Sequence, residues 1–148
     1  MRKHCSTVRT AVIAGAVFCL SPGLSAAASL PICPTNIPET SIKLEPIPAG
    51  WTSYIASPLY LSSAAPVDGP PQRKGEQVPT AQRKAKGQTI FAYQLDGTFP
   101  EGKWLQCSYG EYGQVTLSKR IDDSVRRCEV SYRQGSKAGQ HEISIDCR

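Results

Sequence analysis

Side chains able to do chemistry are few in this sequence. Beyond residue 28 it holds four cysteines, Cys33, Cys107, Cys128 and Cys147, a single histidine, His141, and twelve carboxylates. No Cys-x-x-Cys pair sets up a zinc site, no Gly-x-Ser-x-Gly elbow presents a nucleophile, and no glycine-rich turn between a strand and a helix cradles a phosphate. A Ser-His-Asp site would need a serine and a carboxylate to converge on His141, which reads instead as a surface residue of a hairpin. Glu101, Glu111, Asp122 and Asp123 fall at strand ends. Paired carboxylates there could cleave a glycosidic bond, but ordinary turn chemistry also places acids at such positions. Asp122-Asp123-Ser124 is read as a hairpin tip. The sequence implies no metal and no cofactor.

The role of the cysteines depends on the compartment, and the first 28 residues bear on that. Arg2, Lys3 and Arg9 surround the start, an apolar run covers 11–20, and Ser21-Pro22-Gly23 and Ala26-Ala27-Ala28 follow. This is the pattern of a secretory signal peptide, removed near Ala28. The run is about half as long as a membrane-spanning helix. Cys19 follows Val17-Phe18 and Cys33 follows Pro31-Ile32, so neither has the small preceding residue that lipidation wants, and no membrane anchor is expected. Exported thiols oxidise, which predicts two disulfides. Three pairings are open. Cys107 and Cys128 lie one hairpin apart on one face, which favours a bridge between them and leaves Cys33 with Cys147. The first would close a loop of about 20 residues and contribute about 3 kcal/mol, the second about 4 to 5 kcal/mol.

Binding chemistry remains. Three of the 17 Lys and Arg residues lie in the leader, leaving 14 against 12 acids and a net +2. That surplus is uneven: between Gln72 and Gln88 stand Arg73, Lys74, Arg83, Lys84 and Lys86 against Glu76 alone. A nucleic-acid binder would interleave stacking aromatics, and none is there. Aromatics gather elsewhere, with Tyr109 and Tyr112 flanking Gly110 and Trp104 close by. Such rigid amphipathic side chains suit protein interfaces.

The elements that must position these residues are strands. Ten of the twelve prolines lie between Pro31 and Pro79, which predicts short edge strands at 41–45, 51–56 and 59–63 and extended loops wrapping a sheet. Residues 64–88, rich in Pro and Gly at the start and polar afterwards, read as a long exposed basic loop. From 89 onward, alternation with turn signals predicts strands at 89–95, 103–109, 114–121, 126–133 and 140–147 in an up-and-down order. Parity puts Leu105, Cys107 and Tyr109 on one apolar face, with Val115, Leu117 and Ile121, then Cys128, Val130 and Tyr132, then Ile143, Ile145 and Cys147. Trp104 points the other way, either beneath a covering segment or as an exposed binding aromatic. The expected fold is mainly β, an antiparallel meander sheet or small half-barrel wrapped by a Pro-rich N-terminal segment and stapled by two disulfides. The expected organisation is a signal peptide at 1–28 and one domain at 29–148, with the basic loop at 64–88.

Trp104 to Gly110, then Val115-Thr116-Leu117 and Cys128-Glu129-Val130, together with Cys33-Pro34, Gly50-Trp51 and Asp68-Gly69-Pro70-Pro71, resemble a family of small exported proteins of Gram-negative bacteria named after a Salmonella open reading frame. The resemblance spans nearly all of the chain after the leader and implies a periplasmic protein without established activity. Some relatives lie near type VI secretion genes, which implies an immunity role. Ile121-Asp122 departs from the apolar residue and proline usual there. A more distant likeness, by architecture alone, is to periplasmic inhibitors of lysozyme. Three functions follow as expectations. The first is a periplasmic protein-binding module, using Trp104, Tyr109, Tyr112 and the basic residues Arg73, Lys74, Arg83, Lys84 and Lys86 against a toxin or cell-wall hydrolase. The second is an envelope hydrolase acting through carboxylates. The third is a structural or lipopolysaccharide-associated protein.

Overall fold

Short alternating runs bounded by Pro and Gly become nine strands in the computed structural model, which describes residues 32–148. The leader, with the cleavage expected near Ala28, lies outside the described residues. The strands are β1 (Asn36–Ile37), β2 (Leu59–Asp68), β3 (Gly75–Glu76), β4 (Ala81–Ala85), β5 (Gln88–Gln94), β6 (Lys103–Tyr109), β7 (Val115–Arg120), β8 (Arg127–Gln134) and β9 (His141–Cys147). The only helical pieces among the described residues are two 3-10 turns, Glu39–Ser41 and Pro71–Arg73.

All pairings are antiparallel, in two sheets ordered β1-β2-β6-β7, with β3 added to β2, and β4-β5-β8-β9. The mainly β, twice-stapled fold is as the sequence predicts. Its hairpins β4–β5, β6–β7 and β8–β9 follow chain order as in a meander. The connections at 95–102 and 121–126 instead carry the chain from one sheet to the other, so β5 pairs with β8 rather than with β6. Asp122-Asp123-Ser124 therefore sits in a sheet-crossing connection and not at a hairpin tip.

Parity holds along β6, β8 and β9 but not along β7, an edge strand on which Leu117, expected to face inward, is 43% exposed. Along β6, buried and half-buried residues alternate, and Leu105, Cys107 and Tyr109 face Cys128 and Val130 across a core that also holds Leu61 and Leu95. The sheets are tied by side chains that cross between them. The Tyr132 hydroxyl accepts from the Ala64 N–H at 3.1 Å and donates to the Ala64 carbonyl. His141 Nδ1–H donates to the Ser62 carbonyl at 2.6 Å, beside a β2 bulge between Leu61 and Ser63. His141 is thus a half-buried pin between sheets rather than the free surface residue expected.

The disulfides are Cys33–Cys107 and Cys128–Cys147, which corrects the expected pairing of Cys107 with Cys128. The reason is topological. Cys128 sits directly opposite Cys147 in the β8–β9 ladder, Cα atoms 4.0 Å apart. Cys107 lies in the other sheet, between Ala64 and Leu117, where the N-terminal segment brings Cys33. Both bridges are buried, one on each sheet.

Two further expectations are overturned. Residues 41–45 and 51–56 form no strand; their apolar and β-branched residues have no partner strand to pair with, and the extended chain there stays exposed. The basic loop at 64–88 is largely structured: it contains the end of β2, the turn Pro71–Arg73, β3, β4 and the start of β5. Pro66 enters β2 at a position where only β6 pairs, which suits a residue lacking an N–H. Lys86 (φ 49°) and Gly87 (φ 73°) are both left-handed and close the β4–β5 hairpin, the backbone of a tight primed turn.

Candidate functional site

The eight residues expected to bind do not converge. Tyr109 is fully buried in the core, and burial alone raises its phenol above the usual range. It is a packing residue, which removes it from any binding surface. Trp104 is half-buried on the outer face of β6, between Val67 of β2 and Arg120 of β7, and its Nε1–H donates to the Glu101 carbonyl at 3.0 Å. Arg73 reaches the same corner, 2.6 Å from Glu101 Oε1; that carboxylate raises the Arg73 pKa further. Arg73, Glu101 and Trp104 therefore meet, as a local brace.

Arg83, Lys84 and Lys86 lie in the other sheet, on β4 and its turn, while Tyr112 projects from the β6–β7 turn with 82% of its surface exposed. Lys74 occupies the left-handed residue after the second 3-10 turn. Arg83 is engaged with Glu129, at 3.2 Å, and Arg127 also pairs with that carboxylate. Burial pushes Glu129 up, but the two guanidiniums overcome it and hold the carboxyl below its ordinary value.

Of the carboxylates at strand ends, Glu101, Asp122 and Asp123 are each engaged by a local partner. Asp123 pairs with Arg120 at 2.7 Å. Asp122 Oδ1 accepts from the Ser124 N–H at 2.8 Å, and hydrogen bonding from Ser124 keeps its pKa low. Among the described residues no group of three or more His, Cys, Asp or Glu could hold a metal ion. Lys103, which the sequence reading passed over as the first residue of a strand, is 4% exposed and donates from Nζ to the carbonyls of Asp123 at 2.9 Å and Val125 at 2.6 Å. A lysine so placed fastens the sheet-crossing connection. No sequence signal distinguishes it from a surface lysine.

The segment expected to form edge strands at 41–45 and 51–56 is an exposed apolar element. Between the Glu39–Ser41 turn and β2 runs a strap at 42–58 with neither helix nor strand. Leu44, Ile47, Trp51 and Tyr54 stand out from it, Trp51 at 76% and Tyr54 at 85% exposure. The Trp51 N–H donates to the Pro48 carbonyl at 3.0 Å, with Gly50 left-handed at φ 81°, so a tight turn holds the tryptophan outward. Around this turn the strap bends about a hollow of about 520 Å³ lined by Leu44, Pro46, Ile47, Pro48 and Trp51, with Glu45, Thr52 and Ser53 also in its wall. Its ends are fixed, because β1 pairs Ile37 with Leu59 and Asn36 with Tyr60, and Cys33 is bridged to β6. Apolar residues gathered in the open in this way mark interaction surfaces, and what this arrangement can do is bind rather than catalyse.

Residues 56–148 match the family described as the type VI secretion system Tli immunity protein. The chain belongs to that family. A Tli immunity protein is a protein-binding module, and that is the function of this chain; the immunity role that the resemblance implied is given by the match, whereas naming after a Salmonella open reading frame is not. No curated protein and no solved structure matches the chain. No helix among the described residues of this Tli family member is long and apolar enough to cross a membrane. The matched residues take in both sheets apart from β1, and leave out most of the strap and Cys33.

Proposed function

We propose that this chain is exported to the periplasm, loses its leader near Ala28, and neutralises a type VI toxin there by binding it. The observation that carries this reading is the family match across both sheets. Two buried disulfides, which persist only in an oxidising compartment, support the location. The partner is a toxin that acts in the envelope, a cell-wall hydrolase being one such class. Of the residues expected to bind it, Tyr112, Lys74, Lys84 and Lys86 stand open to a partner, Arg73 and Arg83 are exposed but ion-paired, and Trp104 is half-covered.

Contact-dependent competition tests this. A strain deleted for the gene should be killed by its type VI-armed parent and rescued by the full chain, while a version lacking residues 1–28, held in the cytosol, should not rescue it. Equal survival of deletion and parent strains would refute the immunity reading. Rescue by the cytosolic version would refute the location.

A further inference from the structure

We propose that the strap at 42–58 is the recognition prong of this protein, which inserts Trp51 and Tyr54 into an uncharged, apolar cleft on the toxin. This rests on the immunity reading and adds to it where the partner binds. The strap is long for a connection without secondary structure; ordered segments of that kind beyond about 12 to 15 residues usually carry function. Every residue from 43 to 54 is exposed. An element open on all sides is covered only by a concave partner, not by a flat one.

Charge specifies the chemistry of that cleft. From Pro46 to Val67 there is no Asp, Glu, Lys or Arg, whereas the outer sheet surfaces carry the Arg83–Glu129 and Arg133–Glu142 pairs and the end of β7 the Arg120–Asp123 pair. The part of the prong that carries Trp51 and Tyr54, from Pro46 onward, has no charge with which to neutralise charged groups that it buries, so the walls receiving it must be apolar or internally hydrogen-bonded. Hollows elsewhere on the described surface, of about 240 to 330 Å³, have Glu76, Lys119 or Lys137 in their walls. The strap's own hollow holds Glu45, so all four are poor seats for the uncharged tip of a second copy, which directs it to a different protein.

Preorganisation makes such a prong effective. The Cys33–Cys107 bridge and the β1–β2 pairing hold both ends, and Pro46, Pro48 and Pro58 restrict the backbone between them. Less order is then lost on binding. Trp and Tyr are the side chains that most often dominate interfaces.

The test is calorimetry with the full oxidised chain and, as probe, the purified toxin encoded beside this gene, inactivated in its own active site. Trp51→Ala with Tyr54→Ala should weaken binding by about 30-fold or more, and Trp51→Asp, which buries a charge, by at least as much. Val78→Ser, at an exposed apolar residue outside the strap, should change affinity by about twofold at most. Both strap variants alter exposed positions, so intact disulfides by mass and an unchanged melt certify the fold. Wild-type affinity in the strap variants would overturn the proposal, as would loss of self-association or of vesicle binding without loss of toxin binding. Failure of the unmutated chain to bind would instead overturn the immunity reading.

Discussion

The strap at 42–58 and the two sheets that hold it use the same residue types in opposite ways. In the sheets Leu105 and Tyr109 are 1% and 0% exposed, polar residues face out, and charges pair across strands. In the strap Trp51 and Tyr54 face solvent and charge is confined to Lys43 and Glu45. The difference separates two tasks: burial in the sheets holds the molecule together, and exposure in the strap leaves surface free for another protein. The Cys33–Cys107 bridge is the joint between them, since it fastens the entry to the strap onto the core.

The sharpest way to break that comparison is to cut the joint. Cys33→Ser with Cys107→Ser opens a loop of sequence separation 74 and should cost about 4 kcal/mol in a urea titration. Opening Cys128–Cys147, separation 19, should cost about 3 kcal/mol. If the first loss were the smaller, the N-terminal segment would not be part of the stable body. Within the sheets, Leu105→Ala should lose about 3 kcal/mol by creating a cavity in the core; a loss under about 1 kcal/mol would place the core elsewhere.

Alkali should act on the sheets alone. Burial, reinforced by Tyr132, pushes the Tyr93 phenol up to about 12. The folded chain thus keeps it neutral while the unfolded chain ionises from about pH 10. Its contribution is whole below about pH 10 and falls away between about 10 and 12, by about 2 to 3 kcal/mol. Tyr93→Phe should flatten the denaturation profile in that window, and an unchanged profile would show the phenol to be hydrated. The smallest effect belongs to the strap: Trp51→Ala with Tyr54→Ala should shift stability by no more than about 0.5 kcal/mol, read from the same titration. A larger loss would mean these side chains pack on the body.

Much of this division was legible in the residues, and the rest was not for identifiable reasons. The period of two in β6, β8 and β9 exposes itself locally, so the inward faces around Cys107, Cys128 and Ile145 followed from parity. Sheet order depends on contacts distant in sequence. Nothing near 95–102 or 121–126 announces a change of sheet, and the cysteine pairing went wrong with it. The Lys86-Gly87 turn was overlooked because a strand as polar as Ala81–Ala85 reads as loop. Composition does not distinguish a buried tyrosine such as Tyr109 from an interface aromatic, whereas its parity with Leu105 does. The strap carries strand-like residues between prolines, and only the lack of any neighbouring strand shows that they stay in the open.

Hydrogen exchange on the full chain, alone and with the inactivated toxin, measures the division of tasks directly. Amides at 42–58 have few partners, the Trp51–Pro48 bond apart, and should exchange fast in the free chain and slow markedly in the complex, while β6 and β8 stay protected in both. Protection gained on the sheet faces, with 42–58 exchanging as fast as before, would contradict it.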